Sequence, residues 1–382
     1  MPLLSWLRKQ MTSRPPMRRT AARFRPQLET LEGRWVPTTL HVTTTLDSGY
    51  TGDGSLRGEI AQAQKGDIID FNIPTTDRGY NSSTGTWTMT LWYGEVVINK
   101  SLTIQGPGAG LLTISGGGSY GSRIFEVDGS TTTVKLSGLS LIDGNGMYDN
   151  HIISGGVGWS GGGNHGSTGT AADGEGGAIW NGGTMTVANC TLSYNAADQV
   201  YDQHSPGPTG FGGAIYNAGT MTVTDTILTY NSAGDASYAS YGSYFGNGGA
   251  IWNGGTLIVN GTSTLFDHNT AYGFGGANGG LGGAIYSSYK TTTNITGATM
   301  TNNSAAIGGA VWNDGTMTLS GCKVTGNTAS SAAGGIYDAK DGHLTIQSGA
   351  SIVNNTAPIG ADLDDLGAVK ISKDSTVGVI GH

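Results

Sequence analysis

Apolar and polar residues alternate along the second half of this chain, and the alternation recurs six times between residues 176 and 357. Within a copy, apolar side chains occupy every second position, as Met185 and Val187 do. A period of two places alternate side chains on one buried face of a β-strand, and no helical period competes with it. Each copy therefore predicts two or three short strands.

The six copies share a motif and differ in length. Each opens with Gly-Gly-Ala-Ile or a variant of it, and the next residue is aromatic: Trp180, Tyr216, Trp252, Tyr286, Trp312 and Tyr337. Each closes on an asparagine 15 to 18 residues later: Asn195, Asn231, Asn269, Asn303, Asn327 and Asn355. From that asparagine to the next aromatic residue the distance varies from 9 to 21 residues. A repeat with one constant and one variable half is typical of a solenoid with one coil per copy.

Equivalent positions in the copies carry similar side chains. Three residues before the closing asparagine the side chain is apolar, at Leu192, Leu228, Phe266, Met300, Val324 and Ile352. Five residues before it the side chain is small, at Cys190, Thr226, Thr264, Ala298, Cys322 and Ala350. Coils stacked at the inter-strand distance of about 4.8 Å would align these positions as two buried columns.

The asparagines are predicted to form ladders. In a stacked coil, each closing asparagine can donate its amide to the asparagine of the next coil, and we expect it to adopt the left-handed conformation at the corner. A second polar column follows the aromatic positions, with Ser287 interrupting it in the fourth copy: Asn181, Asn217, Asn253, Asn313 and Asp338.

The repeat resembles the chlamydial-type polymorphic outer membrane protein repeat. The matching features are the Gly-Gly-Ala-Ile opening and a later hydrophobic-x-x-Asn, as in Leu192 to Asn195. The resemblance covers about half of the chain and implies a right-handed parallel β-helix of a bacterial surface. We therefore predict an all-β fold, a single-stranded right-handed parallel β-helix with a short N-terminal capping helix.

The chain divides into four predicted regions. Residues 1–38 form a basic leader that we expect to be disordered, and 39–75 form an N-terminal cap. Coils occupy 76–360, and 361–382 supply a closing strand. The segment Leu28 to Pro37 resembles the Leu-Glu-x-Leu-Glu-x-Arg-x-x-Pro sequence that opens exported proteins of planctomycete-type bacteria. That resemblance implies a sorting signal.

The predicted cap contains a helix from Leu56 to Gln64, with Ser55 as its N-cap. The segment Gly54 to Ile60 resembles the Cys-Ser-Leu-Arg-Glu-Ala-Ile motif at the head of β-helix domains in such surface proteins. Gly54 replaces the cysteine, and Gly58-Glu59 replaces Glu-Ala. A solenoid needs such a cap because its first coil otherwise exposes unpaired backbone groups.

Charge narrows the range of partners. The first 34 residues hold 8 of the 19 Lys and Arg and 2 of the 27 acids, so the remainder carries 11 − 25 = −14. No Lys or Arg occurs between Lys135 and Lys290. We therefore expect neither nucleic acid nor an anionic membrane surface as a partner of the body. No apolar run is long enough to predict a transmembrane helix.

The two cysteines are predicted to be free. Cys190 and Cys322 lie in the same small-residue column, four coils apart. Coils at about 4.8 Å separate them by roughly 19 Å, beyond the reach of a disulfide. We expect buried thiols that pack as small apolar groups.

The variable segments should leave one corner of the stack and lie side by side. Their aromatic residues are candidates for stacking sugar rings or contacting a protein, although solvated loops without a ligand are the alternative. These candidates are Tyr238, Tyr241, Tyr244, Phe245, Tyr272 and Phe274. We predict no catalytic, cofactor or metal site. Two groups of loop residues could bind a metal but lack the ligand spacing of any known site: His165, Asp173 and Glu175, and Asp198, Asp202 and His204.

These patterns favour an exported, non-catalytic repeat protein of the cell surface or extracellular space. A glycan or another surface protein would be its partner, and the sequence does not predict an oligomeric state. The alternative is a polysaccharide lyase or glycoside hydrolase, since the same fold carries such enzymes. Polyuronate lyases need Lys or Arg to bind the substrate carboxylates and to act as base, and the middle repeats have neither. A glycoside hydrolase needs a pair of carboxylates, but Asp225, Asp267 and Asp314 fall at different positions within their repeats.

A third hypothesis is a flat threonine array of the ice-binding type. It depends on Thr-Met-Thr at 184–186, 220–222 and 316–318. We expect Lys290, Asp341 and His343 to interrupt the threonine columns, and threonine is in any case favourable on an exposed strand.

Overall fold

The computed structural model describes residues 36–117, 121–146, 174–197, 209–234, 245–273 and 279–381. This part of the chain is nearly all β-structure, with one helix, Leu56–Gln62. Strands of successive coils pair in parallel and in register, so that Thr184 to Ala188 lie beside Thr220 to Thr224. The predicted parallel β-helix is therefore confirmed, while its handedness stays a prediction.

Each repeat contributes one strand to each of three long sheets, named A, B and C. Sheet A has 11 strands: Thr39–Val42, Ile68–Phe71, Leu102–Gln105, Thr133–Ser137, Thr184–Ala188, Thr220–Thr224, Thr256–Asn260, Thr292–Thr296, Thr316–Ser320, His343–Gln347 and Ala368–Ile371. Sheet B also has 11: Tyr80–Asn81, Thr86–Thr90, Leu112–Ser115, Ser140–Ile142, Thr191–Ser193, Ile227–Thr229, Leu265–Asp267, Thr299–Thr301, Lys323–Thr325, Ser351–Ile352 and Thr376–Val377. Its first two strands pair antiparallel.

Sheet C has 10 strands: Val96–Ile98, Phe125–Val127, Ile179–Asn181, Ile215–Asn217, Ile251–Asn253, Ile285–Ser287, Val311–Asn313, Ile336–Asp338, Leu363–Asp365 and Ile380–Gly381. A shorter sheet D has 5: Ala196–Ala197, Ser232–Ala233, Thr270–Ala271, Ser304–Ile307 and Thr328–Ala332. Thr209–Phe211 and Phe245–Asn247 form a further parallel pair. Within each of the first five repeats the chain passes through sheets C, A, B and D in that order, and the sixth repeat has no strand in sheet D.

The core is built from the predicted columns. Leu192, Leu228 and Phe266 are fully buried and pair in register on consecutive sheet B strands. Every other member of the apolar and small columns is buried as well. Cys190 and Cys322 are buried and free, as predicted, and burial raises the pKa of the Cys190 thiol to about 11.

The corner between sheets B and D corrects one prediction. The left-handed residue in each repeat is not the ladder asparagine but the residue before it, with φ of 54° at Tyr230 and 54° at Asn302. The asparagine side chain must point inward to reach the next coil. The preceding residue therefore makes the chain reversal, and its side chain lies outside.

The predicted cap helix is confirmed, although it ends at Gln62 rather than Gln64. Ser55 Oγ accepts the Gly58 N–H at 3.0 Å, as an N-cap does. Arg57 ties this helix to the coils, because its guanidinium donates to the Asp47 carboxylate at 2.9 Å and to the Glu95 carbonyl at 2.7 Å. At the other end, residues 361–382 hold short strands of sheets A, B and C rather than one closing strand.

Candidate functional site

The variable connections leave the coils at one position and return at another, and both positions stack. Where they leave, the Gly146 N–H donates to the Ala196 carbonyl at 2.9 Å, and Gly234 to Ala197 at 3.0 Å. Where they return, Phe211 pairs with Glu175 on one side and with Asn247 on the other. All long connections therefore emerge along one edge of the stack, which we call the loop edge.

Glycines let the departing and returning chains come together at the loop edge. A Cβ at Gly210 would lie 1.9 Å from the Ala197 carbonyl oxygen, and one at Gly246 would lie 1.9 Å from that of Ala233. No residue other than glycine fits so close an approach. In the fourth repeat, by contrast, strand Ser304–Ile307 runs directly into Gly308. The largest variation in length therefore falls at this position in the repeat.

Most of the candidate contact residues lie outside the described residues: Tyr238, Tyr241, Tyr244 and Phe274. Phe245 begins a returning strand, and Tyr272 lies at a departure point with 39% of its surface exposed. Phe245 pairs with Gly273, so these two candidates lie on the same edge. The weighed metal ligands His165, Asp173, Asp198, Asp202 and His204 also lie outside the described residues.

The asparagine ladder is present as predicted. Each closing asparagine from Asn195 to Asn327 donates its side-chain amide to the Oδ1 of the next at 2.9 Å. Asn355 donates instead to Asp362 Oδ1, also at 2.9 Å. An amide both donates and accepts, whereas a carboxylate only accepts. Asp362 therefore ends the ladder, and the asparagines stabilise the stack.

The second polar column has the predicted break. Asn181 donates to Asn217 at 2.8 Å, and Asn217 to Asn253 at 2.7 Å. Ser287 is too short to continue, so Asn253 donates to the Thr293 hydroxyl at 3.0 Å. Thr293 points inward, at a position that Leu257 fills one coil earlier. A buried threonine thus replaces the missing amide.

The last members of this column are acidic. Asn313 donates to Asp338 Oδ1 at 2.6 Å, and Asp338 Oδ2 is buried without a hydrogen-bond partner among the described residues. Burial, and to a smaller extent the charge of Asp365, raises the pKa of Asp338 to about 6. Asp365 follows Asp338 in register on the next coil.

The six repeat aromatics form a stack on the outer face of sheet C. Neighbouring ring centroids are 4.3 to 6.4 Å apart with planes within 21° of each other. Neighbouring rings cover each other's faces, so within the stack only ring edges remain and a sugar ring finds no open face between them. Burial, followed by the nearby Asp314 charge, raises the pKa of Tyr286.

A second aromatic stack was missed at the sequence level. Tyr194 and Tyr230 stack at 5.2 Å with planes 3° apart, and His268 continues the stack at 4.8 Å. These side chains occupy the left-handed position before the ladder asparagine and lie outside the core, with Tyr194 60% exposed. The sequence does contain a signal for this stack: the residue before the closing asparagine is aromatic in the first three copies and Asn or Gly in the last three.

A buried ionic group also escaped sequence analysis. Arg123 forms an ion pair with Glu95 at 2.5 Å, and both are 2% exposed. Arg123 Nη2 donates to the Glu175 carbonyl at 2.7 Å, where the first long connection returns. The Glu175 carboxylate accepts the indole N–H of Trp180 at 2.8 Å. These contacts fasten the start of the regular repeats.

The carboxylates weighed for glycoside hydrolysis lie in different places. Asp225 is at the corner between sheets A and B, Asp267 is on the outer face of sheet B, and Asp314 follows a sheet C strand. They cannot form one pair. In the described ranges, no three His, Cys, Asp or Glu side chains come together as metal ligands.

The threonine columns correct a second prediction. Lys290 and Asp341 do not interrupt the outer column of sheet A, because both lie in the turns that precede its strands. Thr292 occupies the place expected for Lys290 and pairs with Thr256. His343 does end the column, opposite Thr316.

Comparisons with known proteins leave the family open. No family model matches the chain, and no curated protein matches it either. A solved structure, ORF18 of Geobacillus virus E2, is similar at 12% identity, over 90% of this chain and 58% of the viral one, with a TM-score of 0.35. The chain thus spans less than two thirds of that protein, and a likeness this weak does not bear on function. Over the described segments, no helix has the length and apolar character needed to cross a membrane.

Proposed function

We propose that this protein is an exported, non-catalytic β-helix repeat protein of the cell surface or extracellular space. It acts as a rigid support that presents its loops for contact with a glycan or another surface protein. The observation that carries this proposal is the loop edge, where the variable connections depart and return in stacked positions. Such an arrangement holds several loops side by side whatever their lengths.

The scaffold suits this task. The 11 strands of sheet A, at about 4.8 Å each, give a stack of about 50 Å. Two polar columns and an aromatic stack run along the six regular repeats, so side chains as well as backbone connect these coils to one another. A stiff stack keeps the loops in one line and reduces the ordering that binding requires.

The non-catalytic character is supported by the structural contacts that the buried polar and charged side chains make. The asparagines bond to each other, Asp362 ends their ladder, and Arg123 and Glu95 are paired inside. Export is supported by the resemblance of Leu28 to Pro37 to a sorting segment.

The test is a pair of deletions of equal length. Removal of residues 235–244 shortens one connection at the loop edge, and the fold should survive because loop closure depends weakly on length. Removal of 219–228 deletes a strand of sheet A and shifts the register, so cooperative unfolding should be lost. The loop deletion should weaken binding to bacterial cells or to a glycan surface.

Two results would count against the proposal. Unchanged surface binding after the loops are removed one by one would show that the loop edge is not the contact surface. Turnover of a glycan by the full chain, abolished by one carboxylate substitution, would favour the enzyme alternative.

A further inference from the structure

The corner between sheets B and D carries a left-handed backbone position in every repeat. The residue before each ladder asparagine has a positive φ, between 54° and 70°. In the last three repeats it is Asn302, Gly326 or Asn354, the residue types that tolerate this conformation best. In the first three repeats the same position holds Tyr194, Tyr230 or His268, and the two tyrosines tolerate this conformation less well. The same turn is thus made with favourable and with unfavourable residues in one molecule.

The three aromatic side chains contribute little to the core. Tyr194 is 60% and Tyr230 46% exposed, and the His268 side chain is 45% exposed. The apolar column beneath them is already fully buried, at Leu192, Leu228 and Phe266. Ring stacking compensates part of the strain, but the later repeats need no ring here. Strain held at exposed aromatic residues points to a contact outside the molecule.

The surroundings indicate the chemistry of that contact. Asp267 lies beside the stack, with its carboxylate 2.9 Å from His268 Nδ1 and accepting from the Asn302 amide at 2.9 Å. The position before Tyr194 in the column is Asp143, whose side chain carries no ring to cover the outer face of Tyr194. One aromatic face, ring edges with hydroxyls, an imidazole, a carboxylate and an amide thus lie in one row.

This combination fits a sugar. An apolar ring face takes the C–H side of a pyranose, and carboxylate, amide and phenol groups bond to its hydroxyls. No Lys or Arg occurs from residue 136 to 289, so the row offers no cation to an acidic ligand. The centroids of the three stacked rings span about 10 Å. A patch of that length and one ring in width offers on the order of 100 Å², far less than the roughly 800 Å² per partner of a protein interface.

We propose that Tyr194, Tyr230 and His268 form a binding subsite for a neutral glycan. The inference rests on the proposed function, since it names the partner class of a surface next to the loop edge. One sugar of the glycan stacks on the face of Tyr194 that no ring of the described residues covers. Further sugars of the same glycan run along the ring edges and bond to the polar groups at the His268 end of the row.

The test uses the residue that the molecule itself places at this position. The double variant Tyr194→Asn and Tyr230→Asn adopts the residue of Asn302 and Asn354, so its thermal midpoint should be equal or higher. The matched control is Tyr289→Asn, which removes a tyrosine that is 53% exposed in a turn away from the row. Probes are β-glucan, xylan and mannan as neutral glycans and polygalacturonate as an acidic one.

We expect the full chain to bind a neutral glycan and the double variant to bind it at least about tenfold more weakly, as for loss of a central aromatic contact. The control should bind as the parent does. The inference is overturned if the parent binds no neutral glycan, if it binds polygalacturonate alone, or if the double variant binds as the parent. If loop deletion still weakens cell binding in those cases, the proposed function stands without this subsite.

Discussion

Replacing Asp338 by asparagine should stabilise the protein at neutral pH. Asp338 is fully buried in a column where the other coils mostly carry asparagine, and burial raises its pKa from 3.8 to about 6. Asparagine removes the buried charge and keeps the oxygen that accepts from Asn313. The new side-chain N–H of the variant would point toward Asp365, which pairs with residue 338 in register. Asn181 donates to Asn217 in the same way earlier in the column.

The magnitude follows from the pKa. A shift of about two units corresponds to about 3 kcal/mol between the charged and neutral forms. Since the folded pKa of Asp338 is raised, the folded protein holds the proton more tightly than the unfolded chain. Protonated Asp338 therefore contributes fully to the free energy of unfolding below about pH 4, and this contribution is lost as the pH rises through about 6. Above that, the ionised Asp338 costs the fold about 2–3 kcal/mol.

The assay is urea unfolding of the parent and Asp338→Asn between pH 4 and pH 8, with the exposed Asp374→Asn as the control. The difference between parent and variant matters, because other carboxyl groups titrate in the same range. We expect the variant's advantage to grow from pH 4 to pH 7 and then to level off, while Asp374→Asn follows the parent. A pH-independent difference, or a variant less stable at pH 7, would refute this account of Asp338.

Three further predictions concern the coils. Leu228→Asp should cost several kcal/mol, on the order of 3–5, because it buries an unpaired charge between two apolar side chains; unchanged thermal unfolding would mean that the register is wrong by one residue. Cys190 and Cys322 should react with a thiol reagent only on unfolding, and a mass consistent with a disulfide between them would contradict the stacking. Asn269→Ala should lower the free energy of unfolding by about 2–4 kcal/mol, since it leaves the Asn231 amide without its acceptor; a loss no larger than that of an exposed Asn→Ala change would show that the ladder contributes little.

Much of the fold follows from local sequence pattern. A period of two decides which side chains face inward, and a slip of one residue would expose the whole apolar column. The constant distance from each aromatic residue to its asparagine then predicts which residues stack on one another. Leu192, Leu228 and Asn195 are where that reasoning places them, and the break at Ser287 is real.

The pattern was insufficient where one residue can satisfy a corner in more than one way. A ladder asparagine tolerates the left-handed conformation, and so the sequence favoured placing it there. Only the stacked coils show that its side chain is needed inside and that Tyr194 or Tyr230 makes the turn instead. For the same reason Thr292, not Lys290, continues the threonine column: a turn can absorb extra residues that a count along the chain cannot assign.

Contacts between distant and non-repeating segments needed the tertiary structure altogether. Arg123, Glu95 and Glu175 share no motif or spacing, yet they meet because successive coils carry them to one place. Thr293 replaces an amide that Ser287 lacks, and that too depends on neighbours in space. The sequence by itself determined the coil, its buried columns and the position in the repeat where connections of variable length occur, because these depend on periodicity. Which side chains fill the corners, end the ladders and form the outer aromatic row was decided only by stacking, because each choice depends on the coils above and below.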